Sequence, residues 1–258
     1  MKITTLFSLA TDPQALQAIS TWTKFSLTSY RMVGSLARQD VIPNNIIDVG
    51  ANVGQFSVAC HHLLKSPNIY AFEPLPECFS KLEKNIRKFS NVRTYNFALG
   101  EFCGKTEFHV SSHSHSSSIL KMEPLHSEAF PQSKQKEIIN IQVKTLDTIF
   151  ENTNLVGSTL LKIDVQGYEA NVVKGGKEVL KRVDFILLEV SLKPLYAGEL
   201  LFNEMCAFLE SYGFYFSRPM GWLNDPRNDE VLQMDALFIN STSPFSSQLI
   251  RNELYMAS

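Results

Sequence analysis

The chain of 258 residues is 44% hydrophobic and 19% charged, a composition typical of a folded globular protein and not of a disordered chain. Its 24 Lys and Arg against 26 Asp and Glu give a formal net charge of -2. Because no overall positive field is present to attract a phosphate backbone, we expect no nucleic-acid partner.

Cysteine spacing and the N-terminus bear on the cellular compartment. The four cysteines are widely spaced and form no CxxC pair, so we expect neither a zinc site nor a disulfide framework. Residues 1–10 resemble a signal peptide only faintly, because Thr4 and Thr5 interrupt a short apolar run. No run approaches the roughly 18 apolar residues of a membrane-spanning helix. We therefore expect a soluble, cytoplasmic protein with no membrane partner.

The predicted elements begin with a helical cap and continue into one larger domain. Apolar residues at loosely helical spacing predict one or two cap helices over residues 1–40, with residues 41–258 forming the second unit. Residues 46–50 form an apolar run that ends in a glycine turn, which indicates a buried parallel strand followed by a helix. A second strand is predicted over residues 69–72, and a helix begins near Pro76.

Five further strands follow in the rest of the chain. They are predicted at residues 92–99, 160–165, 185–190, 214–217 and 236–240. Helices are predicted after Gly167 and over about residues 200–212, where Gly213 is suited to cap the helix. Strands that alternate with helices predict an α/β fold with a doubly wound, mostly parallel sheet and helices on both faces.

A long insert interrupts this alternation between Glu101 and Gln142. It contains a Ser- and His-rich stretch, residues 109–118, and a polar segment, residues 123–137. Such an insert is typically a functional loop or lid, or is partly disordered. We expect its histidines to be solvated and to bind no metal.

The strongest functional signal is the turn Asp48-Val49-Gly50-Ala51-Asn52-Val53-Gly54 between the first strand and its helix. Glycines allow the backbone to turn sharply and to approach a ligand, and the helix N-terminus offers free N–H groups. Glu73 ends the next strand, a position from which a carboxylate accepts hydrogen bonds from a ribose diol in this fold. The pair predicts a nucleoside-binding site.

The spacing of this turn argues against other nucleotides. Dinucleotide binders use G-x-G-x-x-G, whereas Asn52 stands where the middle glycine belongs. A phosphate-binding loop fails at Gly176-Lys177, because Asn171 replaces its first glycine and Glu178 its Ser or Thr. The common ligand that remains is S-adenosylmethionine, which contains adenosine and no phosphate.

Five segments together resemble the FkbM family of S-adenosylmethionine-dependent methyltransferases. They are DVGANVGQFS, AFEPLPECF, NFALGE, VKTLDTIF and LLKIDVQGYEANVVKGG, spread over residues 45–190. The last segment is the most specific, since many methyltransferases share the first. The resemblance implies a Rossmann-like class I methyltransferase fold with seven strands to about residue 240.

The resemblance also implies the cofactor site. The turn residues Asp48, Gly50, Asn52 and Gly54 surround the methionine part of the cofactor, and Glu73 holds its ribose. The adenine is flanked by Ala98 and Leu99 at the end of the third strand and by Pro74 from the other side.

Charged residues in otherwise apolar strands are the catalytic candidates. Lys162 and Asp164 in the strand over residues 160–165 cost desolvation free energy unless they are paired. Asp164 ends the strand and faces the ligand crevice, so we expect it to orient or deprotonate the acceptor hydroxyl. A structural pair of Lys162 with Asp164 or Glu169 is the alternative. Glu189, at the end of the next strand, is a second candidate base or a loop anchor.

Members of the family resemble O-methyltransferases, which implies methylation of a hydroxyl on a small-molecule or carbohydrate acceptor. Methylation of a nitrogen or a carboxylate is an alternative within the same chemistry. A nucleotide-dependent oxidoreductase is opposed by the missing middle glycine, and a non-catalytic cofactor-binding module also stays open.

Overall fold

The computed structural model describes residues 12–245. The leader-like segment, residues 1–10, lies outside the described residues. Eight α-helices are present in residues 12–245: α1 (Pro13–Thr21), α2 (Leu27–Arg38), α3 (Gln55–Leu63), α4 (Pro76–Ile86), α5 (Pro124–Ala129), α6 (Leu146–Phe150), α7 (Glu169–Lys174) and α8 (Phe202–Glu210). None of the helices in this range is long and apolar enough to cross a membrane.

The strands form two sheets. Their bounds are β1 (Asn45–Val49), β2 (Asn68–Phe72), β3 (Val92–Tyr95), β4 (Ala98–Leu99), β5 (Gly104–Ser111), β6 (Gln135–Lys144), β7 (Thr159–Ile163), β8 (Phe185–Ser191), β9 (Phe214–Asn224) and β10 (Val231–Asn240). The main sheet has seven strands in the order β3-β2-β1-β7-β8-β10-β9, and a smaller sheet has the order β4-β6-β5. The predicted mostly parallel, seven-stranded Rossmann-like fold is confirmed, with β10 as the strand that runs opposite to the other six and pairs antiparallel with both β8 and β9.

The main sheet has a hydrophobic layer on each face. Successive residues of β1 point to opposite faces, as strand geometry requires. Ile46 packs into one layer with Val33 and Leu36 of α2, whereas Ile47 packs into the other with Phe150 of α6. Helix α2 of the N-terminal cap therefore shares its core with the sheet.

The cap helices begin where side chains satisfy free backbone N–H groups. Asp12 accepts a hydrogen bond from Ala15 N at 3.0 Å at the start of α1, and Ser26 caps α2 at Ser29 N in the same way. The helix expected near Pro76 begins at Pro76, because proline is favourable in the first turn of a helix.

One predicted strand, residues 92–99, is divided in the structure. β3 ends at Tyr95 in the main sheet, while Ala98 and Leu99 form β4, which pairs parallel with Val143 and Lys144 of β6. The Asn96 side chain at the break donates to Glu73 O at 2.9 Å. The expectation of one continuous strand was wrong, because the apolar residues of both pieces give a single run in the sequence.

The insert is largely regular, so the expectation of a long irregular segment was wrong. Strands β5 and β6 pair antiparallel from Gly104↔Val143 to Ser111↔Gln135, and residues 112–134 connect them with α5 and two short 3₁₀ turns. The second half of β6, residues 139–144, does alternate between more buried apolar and exposed polar residues, and the sequence prediction overlooked this period-2 pattern. β9 runs to Asn224 and not to Ser217, because Pro219, which is unfavourable in a central strand, is tolerated in this edge strand.

A close backbone approach between the end of α7 and the end of β4 depends on a glycine, and its substitution tests this packing. A Cβ at Gly175, after α7, would lie 2.0 Å from Gly100 O, next to β4. We expect Gly175→Ala to lower the free energy of unfolding by about 1–3 kcal/mol, because a backbone carbonyl has to move. In Gly34→Ala, within α2, the added Cβ meets only the flexible end of Arg38, at 3.2 Å. This control is expected to be neutral or to stabilise the protein by up to about 1 kcal/mol. Urea unfolding of both variants measures the difference, and equal effects would contradict it.

Candidate active site

A cavity of about 720 Å³ opens at the carboxyl ends of β1, β2, β7 and β8. This is where open α/β sheets bind their ligands, because the strand order changes direction there. The cavity walls also include residues of α2, of the insert and of β10.

The glycine turn forms the floor between β1 and β7. Gly50 has φ 80°, and a Cβ at this position would lie 1.9 Å from Asp164 O, so only glycine fits. Asn52 has φ 49° and accepts a hydrogen bond from Val53 N at 2.9 Å through its own side chain. Asparagine tolerates this left-handed conformation, which explains the residue at the place of the middle glycine.

Glu73 ties the turn to the end of β2. Its Oε2 accepts a hydrogen bond from Asn52 N and its Oε1 one from Leu75 N, both at 2.8 Å. Burial raises the pKa of Glu73 to about 7, against the opposing effect of the two backbone hydrogen bonds. The carboxyl group lines the cavity with only 5% of the residue exposed.

Of the eight predicted cofactor residues, six line the cavity: Gly50, Asn52, Glu73, Pro74, Ala98 and Leu99. Asp48 lies below the turn, fully buried, where its Oδ2 accepts a hydrogen bond from Ser57 Oγ at 2.7 Å. Gly54 packs against α4, since its Cβ position lies 2.8 Å from Leu82. These two residues shape the turn from beneath.

Lys162 is the central cation of the site. Its Nζ lies 3.4 Å from Asp48 Oδ1, 3.3 Å from Asp164 Oδ2 and 3.5 Å from Gly50 O. Burial alone would lower the pKa of Lys162, but the two carboxylates outweigh burial and raise it. The structural Lys162–Asp164 pair considered from the sequence is present. Glu169 instead accepts hydrogen bonds from the backbone N–H groups of Val165 and Gly167.

A glutamine connects the two candidate catalytic carboxylates. Gln166 has φ 60°, and its Nε2 donates to Asp164 Oδ1 at 3.0 Å and to Glu189 Oε2. Its Oε1 accepts a hydrogen bond from Tyr196 OH at 2.7 Å, and Tyr196 in turn contacts His126 Nε2 at 3.2 Å. The structure thus brings Asp164 and Glu189 together in one hydrogen-bonded network.

The carboxyl groups that line the cavity include one from β10, that of Asp235, beside those of Asp164 and Glu189. Burial, together with the charge of Asp164, raises the pKa of Asp235 to about 6. The pKa of Glu189 is raised well above the usual glutamate range by burial and by the nearby Asp164, Asp235 and Glu169. Asp235 is therefore able to take up a proton close to neutral pH, and Glu189 binds a proton more readily than an ordinary glutamate.

The insert and the cap close the cavity. Asn52 Nδ2 donates to Ser114 Oγ at 3.2 Å, and the side chains of Gln55 and His115 lie 3.2 Å apart. Burial lowers the pKa of His115, so its ring is mostly neutral near pH 7.

In residues 12–245 no group of three or more His, Cys, Asp or Glu is arranged to hold a metal ion.

Sequence reasoning missed several wall residues. They are Lys24, Phe25, Ser29, His126, Gln166, Gln233 and Asp235. The sequence does carry a signal for Asp235, because it is a charged residue inside the mostly apolar β10, as Lys162 is inside β7. The cap and the insert are joined to the site only by tertiary packing, and no local pattern marks them.

Sheet order, glycine turn and cavity position define a Rossmann-like methyltransferase. Residues 48–216, more than half of the chain, match the family model described as the methyltransferase FkbM domain. The chain belongs to this family, and S-adenosylmethionine is its cofactor.

The curated relatives include sugar methyltransferases. The chain is 26% identical over 203 residues to the 2-O-methyltransferase NoeI of Sinorhizobium fredii, covering 76% of this chain and 82% of NoeI. It is 28% identical over 144 residues to the hexuronic acid methyltransferase AglP of Haloferax volcanii, covering 55% of this chain and 54% of AglP. Among solved structures, the magnesium protoporphyrin IX methyltransferase of Synechocystis PCC 6803 is 10% identical at a TM-score of 0.46, covering 83% of this chain and 81% of that one.

The buried Lys162 gives a test of the site's construction. In Lys162→Met the carboxylate of Asp48 stays buried without its cation, so we expect a loss of about 3–5 kcal/mol in the free energy of unfolding. The double variant Asp48→Asn/Lys162→Met removes both charges and should recover a large part of this loss. Urea unfolding measures both variants, and a double variant as unstable as the single one would show that the pair is not coupled.

Proposed function

We propose that the protein transfers the methyl group of S-adenosylmethionine to a hydroxyl group of a carbohydrate. The observation that carries this proposal is a single cavity that combines the glycine turn and Glu73 with a hydrogen-bonding wall around Asp164 and Glu189. The relatives named for 2-O-methylation and for hexuronic acid methylation support a sugar acceptor.

The half of the cavity over β1, β2 and β4 fits the cofactor. Pro74, Ala98 and Leu99 give an apolar wall suited to an adenine ring, and the Glu73 carboxyl is placed for a ribose diol. Gly50 lets the turn pass directly against the Asp164 carbonyl, from which a Cβ would lie 1.9 Å away. The bound cofactor supplies an activated methyl group, so the protein's part is to position the acceptor.

The other half, over β7, β8 and β10, fits a polyhydroxylated acceptor. Its wall combines amide, hydroxyl and carboxyl groups with aromatic rings, namely Gln132, Ser133, Gln166, Gln233, Asp235, Phe25 and Phe130. Hydroxyl groups of a sugar pair with such polar groups, and its C–H face packs on aromatic rings. Asp164, at the end of β7, orients the reacting hydroxyl in this proposal.

Binding of the product S-adenosylhomocysteine tests the cofactor half. At about 100 times its Kd, the ligand adds about 2.7 kcal/mol of stability, so the melting temperature should rise by several degrees, and NAD should have no effect. Glu73→Gln puts an amide NH2 against one of the two backbone N–H groups that Glu73 binds, so we expect the affinity for S-adenosylhomocysteine to fall about 10- to 100-fold. The exposed Glu101, outside the cavity, gives the control Glu101→Gln. A shift with NAD, or equal affinities in both variants, would contradict these assignments.

A panel that contains neutral methyl hexopyranosides and negatively charged methyl hexuronosides tests the acceptor half. We expect methyl transfer to a hydroxyl of at least one sugar, read by mass spectrometry. Asp164→Asn should lower kcat/KM about 100-fold through misplacement of the acceptor, with S-adenosylhomocysteine binding retained. Near-normal turnover in this variant would end the assignment of Asp164. No transfer to any sugar, by wild-type protein that binds S-adenosylhomocysteine, would overturn the carbohydrate proposal.

A further inference from the structure

Both carboxylate oxygens of Asp164 already have donors. Oδ2 lies 3.3 Å from the Lys162 ammonium, and Oδ1 accepts a hydrogen bond from Gln166 Nε2 at 3.0 Å. Both oxygens are therefore engaged before an acceptor binds, so Asp164 is better suited to orient an acceptor than to take its proton.

Glu189 is held differently. Its Oε2 accepts hydrogen bonds from the amides of Gln166 and Gln233, the second at 3.2 Å. Within the part of the chain that the structure describes, its Oε1 accepts no hydrogen bond from the protein, and no cation pairs with Glu189. Since the residue lines the cavity, this oxygen is the one left for an acceptor hydroxyl.

A hydrogen-bond chain fixes the orientation of Gln166. Its Nε2 faces two carboxylates, so only the amino end of the amide belongs there, and Oε1 must face Tyr196. Tyr196 has a single hydroxyl hydrogen, which goes to Oε1 at 2.7 Å and not to the more distant Ser116 O at 3.3 Å, so its oxygen accepts from His126 Nε2–H. Burial lowers the pKa of His126 to about 4, in agreement with a neutral ring in this role.

The charges around Glu189 come from three neighbouring elements. Asp164 and Lys162 face it from β7, Asp235 from β10 and Glu169 from α7. The three carboxylates and burial favour the protonated form of Glu189, whereas Lys162 opposes it. A carboxyl group that binds a proton more readily than an ordinary glutamate, with one oxygen facing the cavity, is suited to general base catalysis.

We infer that Glu189 takes the proton of the acceptor hydroxyl and that Gln166, set by Tyr196, is the residue that positions Glu189 beside Asp164. This inference rests on the proposed function. The hydroxyl oxygen forms the new O–C bond while the C–S bond breaks and its electron pair goes to sulfur, which leaves S-adenosylhomocysteine. The hydroxyl proton passes to Glu189 Oε1 and is later released to water.

The test compares wild type, Glu189→Gln, Asp164→Asn and Asp235→Asn from pH 5 to 9, with the best sugar of the panel as acceptor. Glu189→Gln should lower kcat by about 10²- to 10⁴-fold and remove the fall of kcat on the acid side of the profile. Asp164→Asn should mainly raise KM and keep that fall. Asp235→Asn removes the same charge from the same wall, so an equal loss there would reduce Glu189 to a charge effect and overturn the inference.

Two further measurements do not depend on turnover by Glu189→Gln. Infrared titration of the protein without ligand should show, in the difference between wild type and Glu189→Gln, one carboxyl group that deprotonates well above the ordinary glutamate range, while the signals of Glu73, Glu169 and Asp235 are common to both proteins. Glu189→Asp, which keeps the carboxyl group, should restore part of the activity and the acid-side fall. Absence of the infrared signal, or an acid-side fall kept in Glu189→Gln and lost in Asp164→Asn, would assign the proton to Asp164.

The positioning role has its own variant. Tyr196→Phe removes the hydroxyl that holds Gln166, so we expect kcat to fall about tenfold with KM changed less, and the acid-side fall to shift in pH. Tyr30→Phe is the matched control, because it also removes a tyrosine hydroxyl that donates a hydrogen bond to a side-chain oxygen, here Asp12 Oδ2 outside the cavity. An unchanged pH profile in Tyr196→Phe would contradict the role of Gln166. A wild-type protein that methylates no sugar would refute the proposed function. A Glu189→Gln variant as active as wild type would refute only the role of Glu189 as the base.

Discussion

The buried ammonium of Lys162 is the interaction on which the rest of the site depends. It lies between Asp48 of β1, Asp164 at the end of β7 and the carbonyl of Gly50. A lone cation or a lone carboxylate at this depth would cost several kcal/mol, so the three groups have to be arranged together. The same contacts that satisfy Lys162 fix the end of β7 against the glycine turn. The stability of the central strands and the position of the acceptor wall therefore have one cause.

The glycine turn extends this constraint towards β2. Gly50 passes so close to Asp164 that no side chain fits, and Asn52 turns its backbone N–H to Glu73. The proposed cofactor half and the proposed acceptor half thus share one piece of backbone. A change at the floor is expected to affect both ligands, whereas a change at Glu189 concerns the acceptor alone.

The remaining walls come from parts of the chain outside the alternating β/α units. Helix α2 packs into the core beside Ile46 and brings residues 24–32 to the cavity mouth. The arm formed by β5 and β6 carries residues 113–119 over the turn, where Ser114 meets Asn52. The ends of the strands build the proposed cofactor half of the cavity. The cap and the β5–β6 arm are additions to the sheet, so acceptor specificity is free to vary there.

The parallel core, the glycine turn and Glu73 are predictable from local patterns, namely buried apolar runs, glycines at one strand end and an acidic residue at the next. Lys162, Asp164 and Glu189 are predictable as well, since charges inside apolar strands are conspicuous. Three features appear only once the chain is folded: Ala98 and Leu99 join a second sheet, the insert is a β-arm, and Gln166, oriented by Tyr196 and His126, links two carboxylates. Those outcomes depend on which segments pair across long separations, and hydrogen bonds between residues 30 to 70 positions apart leave no periodic trace in the sequence.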